Sequence, residues 1–466
     1  MLKIRVILLP GYFIFLLFLL GASGAPKRTV YNGTPANYLS LLDILQPGDT
    51  LSLAAGAYPD GLPIHDMNGT AGNPIIITGP ASGPRAVFTG RDCCNTVSIE
   101  DSSYIEIYNL ELDGQGRAGD GVKAESTANS AHHITLENLY IHGHDADQQI
   151  VGINTKCPAW DWIIRRNIID TAGTGIYLGD SNGSAPFVRG LIEGNLIVDT
   201  VGYNMQIKHQ NPRLPVSGMP TGDNETIIRH NVFSKANNAA SGGNARPNLL
   251  VGHWPSSGTG ANDVYLIYGN FFYQNPVGEP LFQGEGNVAL YNNLFLNNNG
   301  SAVGIQPHND VPKMIRVFNN TVVANGTGIS VTGGDSGFEQ KVIGNAAFAN
   351  TPINAADTAD NITDSYANAA VYLVNPGGSP TGSPTQLDLY PKAGMLAGPV
   401  INTASFNFFQ DWNLDFNRDT HDGTFRGAYA GSGANSGWLP KLERKPLVQV
   451  APPVLDEFIY LPMALK

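Results

Sequence analysis

Short runs in which apolar and polar residues alternate recur along most of this chain. They lie at 122–125, 153–156, 176–179, 205–208, 249–252, 281–284, 303–306 and 329–332. Successive side chains of a strand face opposite ways. Val122, Ile153, Ile176, Met205, Leu249, Leu281, Val303 and Ile329 are therefore expected to point into a core, and the second and fourth members of each run to point out. A second kind of strand-like run closes on an Asn followed by an apolar or small residue. These markers are Asn109, Asn138, Asn167, Asn195, Asn231, Asn270, Asn293, Asn320 and Asn345, spaced by 23 to 39 residues and mostly in the twenties. Such a period built from strands predicts coils stacked turn on turn. Each coil should hold a strand, a bend at the Asn and a second strand.

Two spacings are long. Inserts fall at about 210–224 after one strand, and at 237–247 and 255–262 on either side of the next. Long loops on a rigid scaffold concentrate binding and catalysis, so the inserts near 210–224 and 237–262 mark the expected site. Beyond residue 353 the period fades. A Gly/Pro/Ser/Thr stretch at 376–384 reads as a loop, and 376–446 as a loop-rich C-terminal unit capping the last turn, since an open end exposes unpaired strand edges. Residues 25–375 then form the coil and 447–466 an apolar tail.

Composition agrees with a strand solenoid: 14% charged residues and 54 Gly suit strands and tight bends. The first residues read as a signal peptide over 1–24, with Lys3 and Arg5, an apolar run and small residues before Ala25. The mature protein is expected outside the cell or at its surface, not held in a membrane. Net charge of −12 argues against nucleic acid as a partner, yet a local basic cleft in an acidic protein can take an acidic glycan. Cys93 or Cys94 could pair with Cys157; all three could instead be small buried residues. A monomer is expected.

The stretch from Gln46-Pro47-Gly48-Asp49-Thr50 through Gly56-Ala57-Tyr58 to Asn73-Pro74-Ile75-Ile76-Ile77, with the Asn-marked turns, resembles the opening coils of secreted right-handed parallel β-helix proteins. The resemblance covers roughly residues 40–350 and implies that all-β fold. Segment 411–427 resembles the tails of such proteins. Its Asp415, Asn417, Asp419 and Asp422 make calcium the candidate cofactor, without a full calcium-loop pattern.

Chemistry is expected on the outward columns. One holds Glu125, Lys156, Gly179, Lys208, Gly252, Gly284 and Gln306. The next holds Asp180, His209, His253 and Glu285, spaced at about 4.8 Å per coil, and faces solvent only if the strands end there. Trp254 and His308 follow, and Arg213 and Arg246 could fold over from the inserts. Elimination on a uronic acid needs a base for the proton beside the carboxylate and cations for the developing charge. In these residues the chain resembles the β-helical alginate lyases and chondroitinase B, which pair a Lys on one turn with an Arg-His step on the next. Ile207-Lys208-His209 matches the first, and Val251-Gly252-His253 the second except that Gly252 stands where Arg is expected. The resemblance implies Lys208 as base and His253 as its partner; Arg246 or Arg229 could replace the missing Arg, and His209, beside Lys208 in the column, joins Lys208, His253 and Arg246 as an expected catalytic residue. Lys156, Asp180, Arg213, Trp254, Glu285 and His308 are then expected to bind substrate. A second cluster, His142-Gly143-His144-Asp145-Ala146-Asp147, reads as a polar bend.

The expected activity is lyase cleavage of an acidic, uronate-containing polysaccharide. A non-catalytic glycan-binding or cell-surface β-helix is the alternative. Glycoside hydrolysis wants two well-placed carboxylates, and Asp180 and Glu285 lie about three coils apart.

Overall fold

The computed structural model describes residues 28–125, 130–213, 215–379 and 381–447. The signal-peptide segment 1–24 and the tail from 448 onward lie outside the described residues. The body is a coil of three stacks of parallel strands, each a sheet along most of the coil, the second and third merging where the long strands Thr321–Val331 and Ala346–Asn354 run through both. The first sheet stacks Ile163–Arg165, Leu191–Glu193, Glu225–Arg229 and Val264–Tyr268. The second stacks Ile168–Ala172, Leu196–Val198, Val232–Ser234 and Phe271–Tyr273. The third stacks Val151–Thr155, Thr174–Leu178, Met205–Ile207, Leu249–Val251 and Phe282–Gly284. Among the described residues no helix is long and apolar enough to cross a membrane.

The alternation pattern predicts two strands per coil; the structure has three. The unexpected one directly follows the Asn and shows no alternation, because both its faces are buried. Inward, Ile197 and Phe233 join the main core. Outward, Leu196, Val198, Val232, Phe271 and Tyr273 meet Leu373, Leu387, Phe416 and Tyr429. A strand covered on both faces reads as a continuous apolar run.

The Asn residues stack from Asn167 to Asn345 and on to Asn361. Asn195 shows the pattern: its backbone N–H and side-chain amide both donate to Oδ1 of Asn231, at 3.0 and 2.9 Å, and the amide also reaches the Ile164 carbonyl. Asn109 and Asn138 also mark bends and bond to each other, Asn138 Nδ2 donating to Asn109 Oδ1 at 2.7 Å, but outside this ladder. Both occupy the left-handed position one residue before the ladder, with φ of 60° and 57°. Leu139 takes the ladder place there, donating its N–H to Asn167. Asn suits both positions, since it tolerates φ > 0, so spacing alone did not separate them.

In the third sheet Val122, Ile153, Ile176, Met205 and Leu249 fall in one register as expected, and their side chains are buried. The partner of Leu249 is Phe282, however, not Leu281. Both are apolar and fully buried, so hydrophobicity alone does not fix the register. This one-residue slip moves Glu285 into the Lys208 column.

The C-terminal region corrects the expectation of an end cap. After a short antiparallel pair, Leu373–Asn375 with Asp388–Pro391, the chain runs back along the coil as a strap. Phe406 stacks on Phe318 at 4.2 Å between centroids. Gly427 N–H donates to the Gly344 carbonyl, Lys445 Nζ to the carbonyls of Gly269 and Phe416, and Arg444 to Asn138 Oδ1 and to the Arg166 carbonyl. The strap thus covers the bend where the Asn ladder runs. Within it, Asp415 accepts the N–H groups of Asp419 and Ala430, and Asp422 the N–H and the hydroxyl of Thr424. Among the described residues no group of three or more His, Cys, Asp or Glu is placed to hold a metal.

Cys93 and Cys94 are bonded to each other and exposed, while Cys157 is buried and free. Of the two readings, the pairing with Cys157 does not form, and Cys157 alone is the small buried residue of the other. His144 is fully buried against the Gly119 carbonyl, and His142 faces Glu111 and Asp113.

Candidate active site

Outward positions of the third sheet line a groove along the coil axis, with a cavity of about 450 Å³. The second members of successive strands, Lys123, Asn154, Tyr177 and Gln206, pair in register along its floor. The fourth members Lys156 and Lys208 form one wall, with Gly179 leaving a gap between them. The opposite wall comes from the turns entering the strands: Asp120, Gln148, Tyr203 and Arg246. Arg246 arrives from the 237–247 insert. That insert is pinned where Lys235 Nζ (2.8 Å) and Asn275 Nδ2 (2.9 Å) both donate to the Arg246 carbonyl. Gln148 Nε2 ties the neighbouring turn to the insert through the Asn244 carbonyl at 2.7 Å.

The groove is cationic. Lys123, Lys156, Lys208 and Arg246 open into it, against one lining carboxylate, Asp120, with Lys123 also paired to Glu125 at 2.9 Å. Asp120 is held down by the Val151 N–H and the Asn154 amide, both at 2.8 Å. Burial raises its pKa, and these hydrogen bonds oppose the rise. The Lys208 side chain forms no hydrogen bond or ion pair among the described residues. Burial lowers its pKa, with Glu285 and Asp180 pulling the other way, which increases the share of neutral amine. Lys156 is lowered for the same reason, and its Nζ lies 3.8 Å from the centre of the Tyr177 ring.

Of the expected site residues, Lys156, Lys208 and Arg246 come together here. The rest lie elsewhere. His209 and His253 stand one position past the Lys208 column on a shoulder, their rings stacked at 5.3 Å. His253 Nδ1 bonds the Trp254 carbonyl at 2.6 Å, and burial followed by the Lys208 charge lowers the His209 pKa. Glu285 is 2% exposed and accepts the backbone N–H groups of His308, Asn309 and Asp310 at 2.9–3.0 Å. It anchors a loop and is not a substrate ligand. His308 is exposed and enters this arrangement through its backbone. Asp180 accepts from Ser181 and Ser184 in its own turn and acts on Lys208 only through space.

Trp254 and Arg213 are the plainest corrections. Trp254 is 2% exposed and stacked on Tyr265 at 4.2 Å, so no sugar reaches its face. The Arg213 side chain is also 2% exposed and pairs with Asp263, joining the 210–224 insert to the end of 255–262. An apolar ring and a cation beside inserts are as useful for holding loops together as for binding ligand.

Sequence reasoning missed Lys123, Asn154, Tyr177, Gln206 and Tyr203. The first four were legible as second members of the aligned runs. Tyr203 lies just before its strand and carried no pattern.

Residues 151–347 match the family model described as a right handed beta helix region. The chain folds as a right-handed parallel β-helix. No curated protein matches it. Among solved structures, this β-helix is similar to an alginate lyase from Paenibacillus sp. str. FPU-7, with 16% identity over 72% of this chain and 99% of that one, TM-score 0.37. It is also similar to the PL6 family alginate lyase AlyGC (13% identity, TM-score 0.32), covering 72% of this chain and about half, 51%, of that one. A third is the Azotobacter vinelandii mannuronan C-5 epimerase AlgE4 A-module (12% identity, 71% and 90% covered, TM-score 0.34).

Proposed function

We propose that the protein is a secreted enzyme that cleaves an acidic, uronate-containing polysaccharide by β-elimination in the third-sheet groove. The observation that carries this is the convergence of Lys123, Lys156, Lys208 and Arg246 on one groove in a chain of net charge −12. A cationic groove along the axis offers a polyanion a continuous track. Lys208 is the base: half-buried, without a bonded partner among the described residues, and with its pKa lowered by burial toward a working value for proton abstraction. Lys156 and Arg246 neutralise substrate carboxylates, and the charge that grows as the proton leaves. Tyr177 supplies a ring face beside the track.

The test is a panel of alginate, pectate and glycosaminoglycans, with and without calcium, read by the ultraviolet absorbance of unsaturated uronate. New absorbance with one of these polymers supports the proposal. Binding without absorbance replaces it with a glycan-binding β-helix.

A further inference from the structure

Elimination needs a base and also a proton for the departing glycosidic oxygen. The groove has no Arg in the Lys208 column, since Gly252 stands there. Beside Lys208, the groove residues that carry a transferable proton are few: the Lys123 ammonium is paired with Glu125 at 2.9 Å, and that of Lys156 is seated on the Tyr177 ring. Arg246 keeps its proton far above neutral pH, and its Nη1 already donates to the carbonyls of Gly243 and Ala245. The Tyr177 hydroxyl is shared with Ser181 Oγ at 3.1 Å, and Lys156 lies over its ring. Asp120 is tied to Val151 and Asn154. Tyr203 differs. It lines the groove, its hydroxyl makes no hydrogen bond among the described residues, and the Arg246 guanidinium sits 5.9 Å from its ring centre.

Tyr203 and Lys208 flank one strand, Met205–Ile207, on the same coil, one on each wall. Five residues span at most about 17 Å.

The geometry points to Tyr203 as the general acid that protonates the leaving oxygen while Lys208 takes the proton from the opposite wall. This rests on the lyase proposal above. The neutral Lys208 amine removes the proton from the carbon bearing the carboxylate. That electron pair forms the new carbon–carbon double bond, and the bond from the neighbouring carbon to the glycosidic oxygen breaks. This oxygen takes the phenolic proton and leaves as a sugar hydroxyl. The phenolate, facing Arg246, regains a proton from water, and Lys208 returns its own.

The test compares wild type, Tyr203→Phe and Lys208→Ala on two substrates. One is the acidic polymer that wild type cleaves. The other is a uronic acid carrying a dinitrophenyl ether at the hydroxyl through which the chain extends, whose leaving group needs no proton. Tyr203→Phe should slow polymer cleavage by roughly 10²–10⁴-fold and cleavage of the ether only a few-fold. Lys208→Ala should slow both. Equal slowing of both substrates by Tyr203→Phe would make the residue structural and overturn the assignment, as would a polymer rate equal to wild type. If wild type forms no unsaturated product from any acidic polymer, the lyase proposal itself fails and the assignment ends with it.

Discussion

Lys156 Nζ lies 3.8 Å from the centre of the Tyr177 ring, and this contact joins wall and floor of the groove between two neighbouring coils. It places a cation and an aromatic face where a sugar and its carboxylate would both be met. A cation over a ring contributes about 0.5–1 kcal/mol at exposed sites and more when desolvated. Lys156→Ala should therefore raise KM several-fold while kcat changes less. Steady-state kinetics on the cleaved polymer separate the two. A loss confined to kcat would place Lys156 in the chemistry instead.

Lys208→Ala should lower kcat by roughly 10²–10⁴-fold, the usual worth of a positioned base. Its melting temperature should stay within a degree or two of wild type, because a partly exposed Lys without a bonded partner adds little to stability. Full turnover in this variant would remove Lys208 from the mechanism.

Asn231 stands mid-ladder. Its Oδ1 accepts two donors from Asn195, and its amide serves Asn270 and the Ile192 carbonyl. Asn231→Ala strands buried polar groups on both neighbouring coils, at about 1–3 kcal/mol for each unsatisfied group. Chemical denaturation should show a loss of at least that size. Asn138→Ala, at the left-handed corner outside the ladder, loses its bonds to Asn109 and Arg444, and its cost should come partly from backbone strain. Asn138→Gly should recover part of that loss, whereas Asn231→Gly should recover none.

Lys235 is fully buried beneath the insert that carries Arg246. Burial lowers its pKa from 10.5 to about 7. Between these values the unfolded chain holds a proton that the folded chain has released, so stability rises with pH across that window. Below pH 7 both states are charged and the burial penalty is fully felt. Lys235→Met should flatten the rise in melting temperature between pH 7 and 10. An unchanged slope would show that Lys235 stays charged in the folded state.

The stacked coils, the inward column of the third sheet and the Lys156 and Lys208 positions were legible because period and alternation follow from one buried face. The second sheet was not, since burial on both faces erases alternation. The register at Leu281 and Phe282 was lost where two adjacent apolar residues offered two solutions. Trp254 and Arg213 misled because residue type does not tell a loop anchor from a ligand. Arg246 entered the groove as expected, on an insert whose anchors, Lys235 and Asn275, no local pattern marks.

The strap gives the molecule an order of assembly. Arg444 closes on Asn138 across 306 residues of chain. At about 5–20 residues per second, the pace of synthesis, the coil around Asn138 emerges roughly 15–60 s before the segment that covers it. Phe271, whose ring packs edge-on against Trp438, waits for a segment 167 residues further on, about 8–33 s at the same pace. The segment around Arg444 thus seals a coil laid down 306 residues earlier.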